Sequence, residues 1–276
     1  MIQILLATFN GEKYLPEQLD SLFSQTNQDW TLLAHDDGSS DKTVLILKRY
    51  QNEFPTRIEL IEDGVKTGSP KNNFAHLMAH SEADYVMFCD QDDVWLREKI
   101  ETTLKRMKET EMNHPNKPVL VHTDLVIVDA DLDVISPSMF LYQKLMQAPN
   151  INQLLVHNNV TGCTAMINRL ALRISMPVPA EAVMHDWWLA LRVITQDGHI
   201  SLIRQPTVLY RQHESNSVGS KKINLRYYFN VRKNAKFHGD ALRRVFRQAK
   251  CFTNASYMRL LLYKIRAVFT RLLPGS

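Results

Sequence analysis

Short apolar runs alternate with amphipathic stretches along the first 130 residues, and several of them end in a loop rich in acids, which leaves the chain few folds to choose from. Ile2 to Leu6 is followed, after Thr8-Phe9-Asn10-Gly11, by an amphipathic stretch from Pro16 to about Gln25. Apolar runs of this length read as strands and the 3.6-residue spacing as helix. Trp30 to Ala34 predicts a second strand; Ser40 or Asp41 can cap a helix carrying Val44, Leu45, Leu47 and Tyr50; Ile58 to Ile61 predicts a third strand. Asn72 to Ser81 suits a helix, Tyr85 to Cys89 a buried strand, and Leu96 to Met112 a longer helix. Repetition of this kind implies an α/β fold with a mostly parallel central sheet flanked by helices. Beyond Val119 to Val128 the pattern is less regular, and no repeat or flexible linker is evident before about residue 214.

In such a sheet ligands gather beyond the carboxyl ends of the strands. The loops there are Thr8 to Glu12, Asp36-Asp37-Gly38-Ser39 and Asp90-Gln91-Asp92-Asp93. Asp-Gly-Ser alone is equally well a turn. Three acids within four residues repel one another unless a cation or a cluster of donors compensates them, and a divalent metal is the economical explanation. Manganese or magnesium needs only one or two carboxylates when the substrate brings a diphosphate. No Gly-x-Gly-x-x-Gly follows the first strand and no Walker loop occurs, which argues against a dinucleotide dehydrogenase and a P-loop NTPase.

Order and spacing of three segments resemble the family-two glycosyltransferases of the GT-A fold: Leu6-Ala7-Thr8-Phe9-Asn10-Gly11-Glu12, His35-Asp36-Asp37-Gly38-Ser39-Ser40-Asp41-Lys42-Thr43 and Asp90-Gln91-Asp92-Asp93-Val94-Trp95. His185-Asp186-Trp187-Trp188 and Tyr210-Arg211-Gln212-His213 are similar to the bacterial, rhamnosyltransferase-like branch. The resemblance covers residues 1–215, which implies a catalytic domain there and a separate basic helical tail over 216–276. It implies an inverting, metal-dependent transfer from a nucleoside-diphosphate sugar, deoxythymidine-diphosphate rhamnose or a uridine-diphosphate hexose, to a glycan or lipid-linked glycan acceptor. Thr8, Asn10 and Glu12 would border the nucleoside, and Asp37 would accept from the pyrimidine N3–H. Lys71 would reach the nucleotide, in a segment where the family's Arg-Asn pattern is altered. Asp90 would face the ribose, Asp92 the metal, and Asp93 would support the site from beneath or cap the next element.

Inverting transfer needs a carboxylate to take the acceptor's proton, and the resemblance assigns that role to Asp186. Asp186 could also be a helix N-cap and the tryptophans core. Trp187 and His185 are candidates for contact with sugar or acceptor, although only one of the two tryptophans need face the cleft. His213 has a family position near the metal or diphosphate. Arg211 either contacts that end of the substrate or pairs with an acid at the sheet edge. His35, His76, His80 and His122 show no metal-ligand spacing.

Composition is that of an ordinary globular chain, 45% apolar and 22% charged, without about 18 consecutive uncharged apolar residues. The N-terminus opens on an apolar run without a basic leader, which predicts a cytoplasmic protein. Three dispersed cysteines suggest neither a disulfide framework nor a zinc cluster. Charge divides sharply: residues 221–276 hold 14 Lys and Arg against one acid, Asp240, so with +4 on the whole chain the rest is net acidic. Met258, Leu261, Leu262, Ile265, Val268, Phe269 and Leu272 recur at helical spacing, with Arg259, Lys264, Arg266 and Arg271 as the polar decoration. Leu242, Val245, Phe246 and Ala249 suggest a helix before it. An apolar face with a basic flank predicts peripheral attachment to an anionic membrane on its inner face, against the alternative of packing on the catalytic domain or a second subunit. A nucleotidyltransferase of similar fold would carry a glycine-rich basic loop after the first strand, which Thr8 to Glu12 is not. A nucleic-acid-binding protein would draw on the tail alone, and the acidic body and the lack of a base-reading motif speak against nucleic acid as a partner.

Overall fold

The computed structural model describes residues 1–214 and 235–272. In chain order the first half reads β1 (Ile2–Thr8), α1 (Leu15–Phe23), β2 (Trp30–Asp36), α2 (Thr43–Glu53), β3 (Ile58–Ile61), α3 (Pro70–His80), β4 (Tyr85–Asp90), β5 (Val94–Trp95) and α4 (Lys99–Asn113). Each expected strand and helix of this half is present, with ends shifted by a few residues. Leu5, Leu33, Phe74 and Phe88 fill one face of the sheet, and Leu6, Leu19, Leu32 and Met87 the other. Strands buried on both faces are apolar throughout instead of alternating, which is why these runs are continuous in the sequence.

The second half contains β6 (Val119–Val128), β7 (Val134–Ser136), α5 (Met139–Gln143), α6 (Ile151–Leu154), a 3-10 turn (Gly162–Thr164), β8 (Ala165–Asn168), α7 (Arg169–Ser175), α8 (His185–Thr195) and β9 (His199–Arg211). Two further helices follow, α9 (Ala235–Lys250) and α10 (Tyr257–Leu272). The strand order is β3-β2-β1-β4-β8-β6-β9-β5, with β7 on β6. The parallel arrangement expected from the sequence holds for β3, β2, β1 and β4 and again for β6 with β9. Between them β8 runs antiparallel to both β4 and β6, so the sheet as a whole is mixed.

Two of these pairings position distant residues. The two-residue β5 pairs antiparallel with the end of β9, Val94 opposite Leu209 and Trp95 opposite Val208. Residues just before β5 therefore meet residues just after β9. Likewise Met87 lies opposite Met166 on β8, which carries the turn at Gly162 back toward the loop after β4.

The described tail joins this body. Val245, Phe246 and Ala249 of α9 and Leu260 and Ala267 of α10 belong to the same buried cluster as Leu5 and Phe88. Its outer side is different. Met258, Leu261, Leu262, Ile265 and Phe269 are exposed on one stripe of α10, Met258 at 67% and Phe269 at 64%, with Arg259 and Arg266 exposed beside them. Lys264 and Arg271, expected among the polar decoration, turn inward instead: Lys264 Nζ donates to the Val156 carbonyl (2.7 Å) and Arg271 Nε to that of Lys144 (2.9 Å). Both sit on the body-facing side of the helix, where unpaired carbonyls of the 139–156 segment need donors. The basic residues between 215 and 234 lie outside the described part. No helix among the described residues is long and apolar enough to cross a membrane.

Candidate active site

A cleft of about 820 Å³ opens where β1, β2 and β4 end, and Thr8, Asp37, Asp90 and Asp92 line one side of it. The loops there brace one another. Thr8 Oγ1 donates to Asp36 Oδ1 (2.9 Å), and the Asn10 carboxamide oxygen accepts from Ser40 N (2.8 Å). Glu12 accepts from Lys42 N (2.8 Å) while Glu12 N donates to Asp41 Oδ2 (3.0 Å). Phe9 and Gln91 exchange two hydrogen bonds, Phe9 N to Oε1 (2.8 Å) and Nε2 to Phe9 O (2.9 Å).

The adjacent acids Asp36 and Asp37 take two different roles. Asp36 is the turn former, accepting from Gly38 N, Ser39 N and Ser39 Oγ. Asp37 lines the cleft, and its Oδ1 accepts from Thr67 N and Gly68 N of the loop between β3 and α3. Gly38 has φ +86°, and a Cβ there would come within 2.6 Å of Lys66 Cε. The positive φ favours glycine there, and Lys66 crosses the turn through the space a Cβ would take.

The acid-rich loop is closed from beneath by the end of β9. Arg211 N donates to Asp93 Oδ1 (3.2 Å), Arg211 Nε to the Asp92 carbonyl (2.9 Å), and its guanidinium also bonds the Ala130 carbonyl and Glu17. His213 Nε2 lies 2.9 Å from Asp92 Oδ2. Burial and the nearby Asp92 and Asp186 charges push Asp90 up to about 7. Burial with Asp92 and Asp90 pushes Asp93 well above the carboxylate range, while the Cys163 thiol donates to it. Asp93 Oδ2 is buried without a hydrogen-bond partner. Carboxylates that raise one another in this way, with an imidazole nitrogen at hydrogen-bond distance, are a donor set a manganese- or magnesium-type cation fits. Asp90, Asp93 and Cys163 also place ligand atoms within 4.8 Å, but Asp93 and Cys163 are fully buried and do not line the cleft. Asp92 lines the cleft, and His213, which does not, reaches it from beneath through the Asp92 carboxylate.

Across the cleft stands the N-terminus of α8. Met184 is its cap residue and Asp186 lies in the first turn, not at the cap. Asp186 Oδ1 accepts from Trp187 N (2.6 Å) and Oδ2 from Gly162 N (3.0 Å). Burial raises its carboxyl to about 6 against the lowering effect of these amides and of Asn158. A Cβ on Gly162 would meet His185 Nε2 at 2.7 Å, so the turn and the helix start touch. His185 lines the cleft between the Phe74 and Phe88 rings, and burial holds it down at about 3, so it is neutral. Trp187 also lines the cleft, its indole N–H donating to the Leu154 carbonyl (2.6 Å). Trp188 faces away, donating to the Ser175 carbonyl and packing on Phe252 after α9.

Of the residues singled out in the sequence, Thr8, Asp37, Asp90, Asp92, His185, Asp186 and Trp187 come together around one cavity. Asn10 and Glu12 stand behind it as loop braces, and Arg211 beneath it. Lys71 turns away to the Ala180 carbonyl (3.2 Å), because it sits in the first turn of α3 on the side away from the lining. Lys66 occupies the wall there instead. Gly162, Asn158 and Lys264 were not foreseen. Only the Gly-Cys-Thr following a polar Asn-Asn pair marked the first two, and Lys264 had the signature of a surface residue. Burial and the Arg271 charge lower its ammonium to about 8.

The family model described as "Glycosyl transferase family 2" matches residues 3–172. The dTDP-rhamnosyl transferase RfbG of Shigella flexneri is 29% identical over 225 residues, 78% of this chain and 74% of that protein. WfgD of Escherichia coli, named a UDP-Glc:alpha-D-GlcNAc-diphosphoundecaprenol beta-1,3-glucosyltransferase, is 24% identical over 230 residues, 81% of each chain. Among solved structures, Staphylococcus aureus TarS 1-349 in complex with UDP-GlcNAc superposes with a TM-score of 0.63 at 15% identity, covering all of this chain and 73% of that one. The mannosyltransferase PcManGT of Pyrobaculum calidifontis, in complex with GDP-Man and Mn2+, gives 0.58 at 14% identity over all of this chain and 76% of that one. The structural likenesses establish the GT-A glycosyltransferase fold expected from the loops. With the family model spanning more than half its length, the chain belongs to glycosyl transferase family 2 and is a glycosyltransferase.

Proposed function

We propose that the chain transfers a sugar, with inversion at the anomeric carbon, from a nucleoside-diphosphate sugar to a glycan or lipid-linked glycan acceptor, with Asp186 as general base. The observation that carries this reading is the placement of Asp186. Its carboxylate is held by two backbone amides, lifted by burial to about 6, and faces the acid loop across one cleft. A base in this range is ionised near neutral pH yet basic enough to accept a hydroxyl proton in the transition state. The acceptor oxygen then bonds the anomeric carbon from the face opposite the diphosphate, which departs with the electrons of the broken bond.

Asp37 accepts from the base of the donor, Thr8, Asn10 and Glu12 keep that pocket's loops in place, and Asp90 faces the ribose. Asp92 and His213 would hold a divalent cation, manganese or magnesium, whose chemistry there is to neutralise charge gathering on the departing diphosphate. Trp187 and neutral His185 offer flat apolar faces to a sugar ring. The likeness to RfbG favours a deoxythymidine-diphosphate rhamnose donor. Polyprenyl-linked acceptor chemistry, as in the name of WfgD, agrees with the exposed apolar stripe and basic flank of α10, which support a peripheral place on the inner, anionic face of a membrane.

Asp186→Asn tests the assignment. Transfer should fall by about a hundredfold or more while donor affinity and folding are kept. Near-normal turnover by a folded variant would move the base elsewhere.

A further inference from the structure

The sequence spacing of His35, His76 and His80 suggests no metal site, yet the fold assembles one away from the cleft's acid loop. His35 is the penultimate residue of β2 and pairs with Ile61 of the parallel strand β3, so Asp63, two residues on, comes up beside it. His76 reaches the same point from α3. His35 Nε2 lies 3.7 Å from Asp63 Oδ1, and His76 Nε2 lies 2.8 Å from Asp63 Oδ2. One ligand atom from each residue falls within a 4.8 Å group.

The tautomer of His35 gives this cluster its meaning. Its Nδ1 lies 2.7 Å from the side-chain oxygen of Asn73. Asn73 is itself buried, and its amide NH2 donates to the carbonyls of His35 (3.2 Å) and Thr8 (3.5 Å). That fixes which end of the amide is oxygen, so Nδ1 of His35 must be the donor. In the neutral ring Nε2 then carries a lone pair, and the Asp63 carboxylate oxygen 3.7 Å away is a second acceptor. A metal ion between them would make both of them ligands. An imidazole anchored through its other nitrogen to a side-chain carbonyl is how metal-bound histidines are held. The ligand atoms, all within 4.8 Å of one another, are close enough for small side-chain shifts to bring them to the roughly 3.3 Å edges of a tetrahedron with bonds of about 2.0 Å.

We propose that His35, Asp63 and His76 bind a zinc-type divalent cation, separate from the Asp92 and His213 pair, with water completing the shell. Two imidazoles and one carboxylate suit zinc or cobalt better than magnesium. Asp63 also accepts from Val65 N (3.0 Å), at the start of the stretch that carries Lys66 over Gly38 and lays Thr67 N and Gly68 N on Asp37. Tying Asp63 to β2 and α3 would therefore fix the loop that frames the nucleoside pocket. This last link rests on Asp37 holding the base of the donor; the metal site itself does not.

Cobalt(II) added to chelator-treated full-length protein should give the visible absorption of a tetrahedral N/O site, saturating at one equivalent and displaced by zinc. Zinc should raise the melting temperature by a few degrees. His76→Ala and Asp63→Asn should each remove the cobalt band and the zinc-dependent shift while far-UV dichroism is unchanged; Asp92→Asn should keep both. His76→Gln, which preserves bulk, serves if the alanine variant does not fold. Absence of the band in the wild type, its survival in folded His76 and Asp63 variants, or its loss with Asp92→Asn would overturn the proposal.

Discussion

On one side of the cleft, Thr8, Asp37 and Asp90 are held by loops that cross-brace one another within the first hundred residues, through polar bonds such as Asn10 to Ser40 and Glu12 to Lys42. On the other, Asp186, Trp187 and Lys264 come from segments nearly eighty residues apart, and packing positions them: His185 against Phe74 and Phe88, Lys264 on a helix sharing the core with Leu5. The side proposed to hold the donor is thus a polar lattice made locally. The opposite wall depends on global closure of the fold. Substitutions should separate the two, with donor affinity following the first and turnover or acceptor use the second.

The largest effect after that of Asp186 is expected at Asp92. Asp92→Asn should sharply weaken manganese-dependent binding of nucleoside diphosphate, measured by calorimetry with and without metal; unchanged binding, with full activity in chelator, would remove the metal from the mechanism. A matched glycine pair probes the comparison itself. Gly162→Ala drives a methyl into His185 and should cost about tenfold or more in kcat with donor KM little changed, since it displaces the wall that holds Asp186. Gly38→Ala forces a non-glycine residue to φ +86° against Lys66 and should raise donor KM instead. If both alter the same constant, the two sides are not independent.

A smaller, diagnostic effect concerns pH. A general base at Asp186 would have to be ionised to act, so kcat/KM should fall below about pH 6, the value to which burial lifts it. The same shift has a stability consequence of opposite direction. A carboxyl with a folded-state value above its unfolded value favours the fold fully when protonated, below about 4, and loses that contribution as pH rises through about 6. Asp186→Asn should therefore gain on the wild type between pH 4 and 7, by on the order of 3 kcal/mol, in denaturation experiments. A constant difference would show that the raised value is not a property of Asp186. Last, replacing Leu261, Ile265 and Phe269 by serine should abolish flotation with anionic liposomes while donor hydrolysis and melting behaviour persist, because these side chains are exposed. Aggregation or a collapsed melting temperature would mean that the stripe is covered by protein.

The same contrast explains what the sequence made legible. Strands β1 to β4 and their acid loops could be read because each is a continuous apolar run with its chemistry a few residues away. Asp37 was singled out only through the family resemblance; that Asp36 forms the turn with Ser39 while Asp37 lines the cleft and holds Thr67 emerges only in three dimensions. Lys71 was misleading in the opposite sense: its neighbours suggest a nucleotide contact, but the turn of α3 sends it to Ala180. The mixed character of the sheet was hidden because β8 is four residues long and is wedged directly between a 3-10 turn and α7. Lys264 was unreadable for a further reason. A lysine among Leu261, Leu262 and Ile265 has the pattern of a surface helix, and that helix does expose those apolar side chains while turning the lysine into the cleft.

This two-sided use of α10 sets a distance. A helix with its side chains is about 10–12 Å across, so a surface touching Phe269 and Ile265 would lie within one helix width of the cavity wall at Lys264. An acceptor whose reactive hydroxyl sits one or two sugar units above a bilayer would reach Asp186 without leaving the lipid, whereas a longer glycan would have to fold back. The thickness of a single helix would then act as a ruler for acceptor length, and lengthening or tilting that helix would change which glycans are extended without touching any residue that performs the transfer.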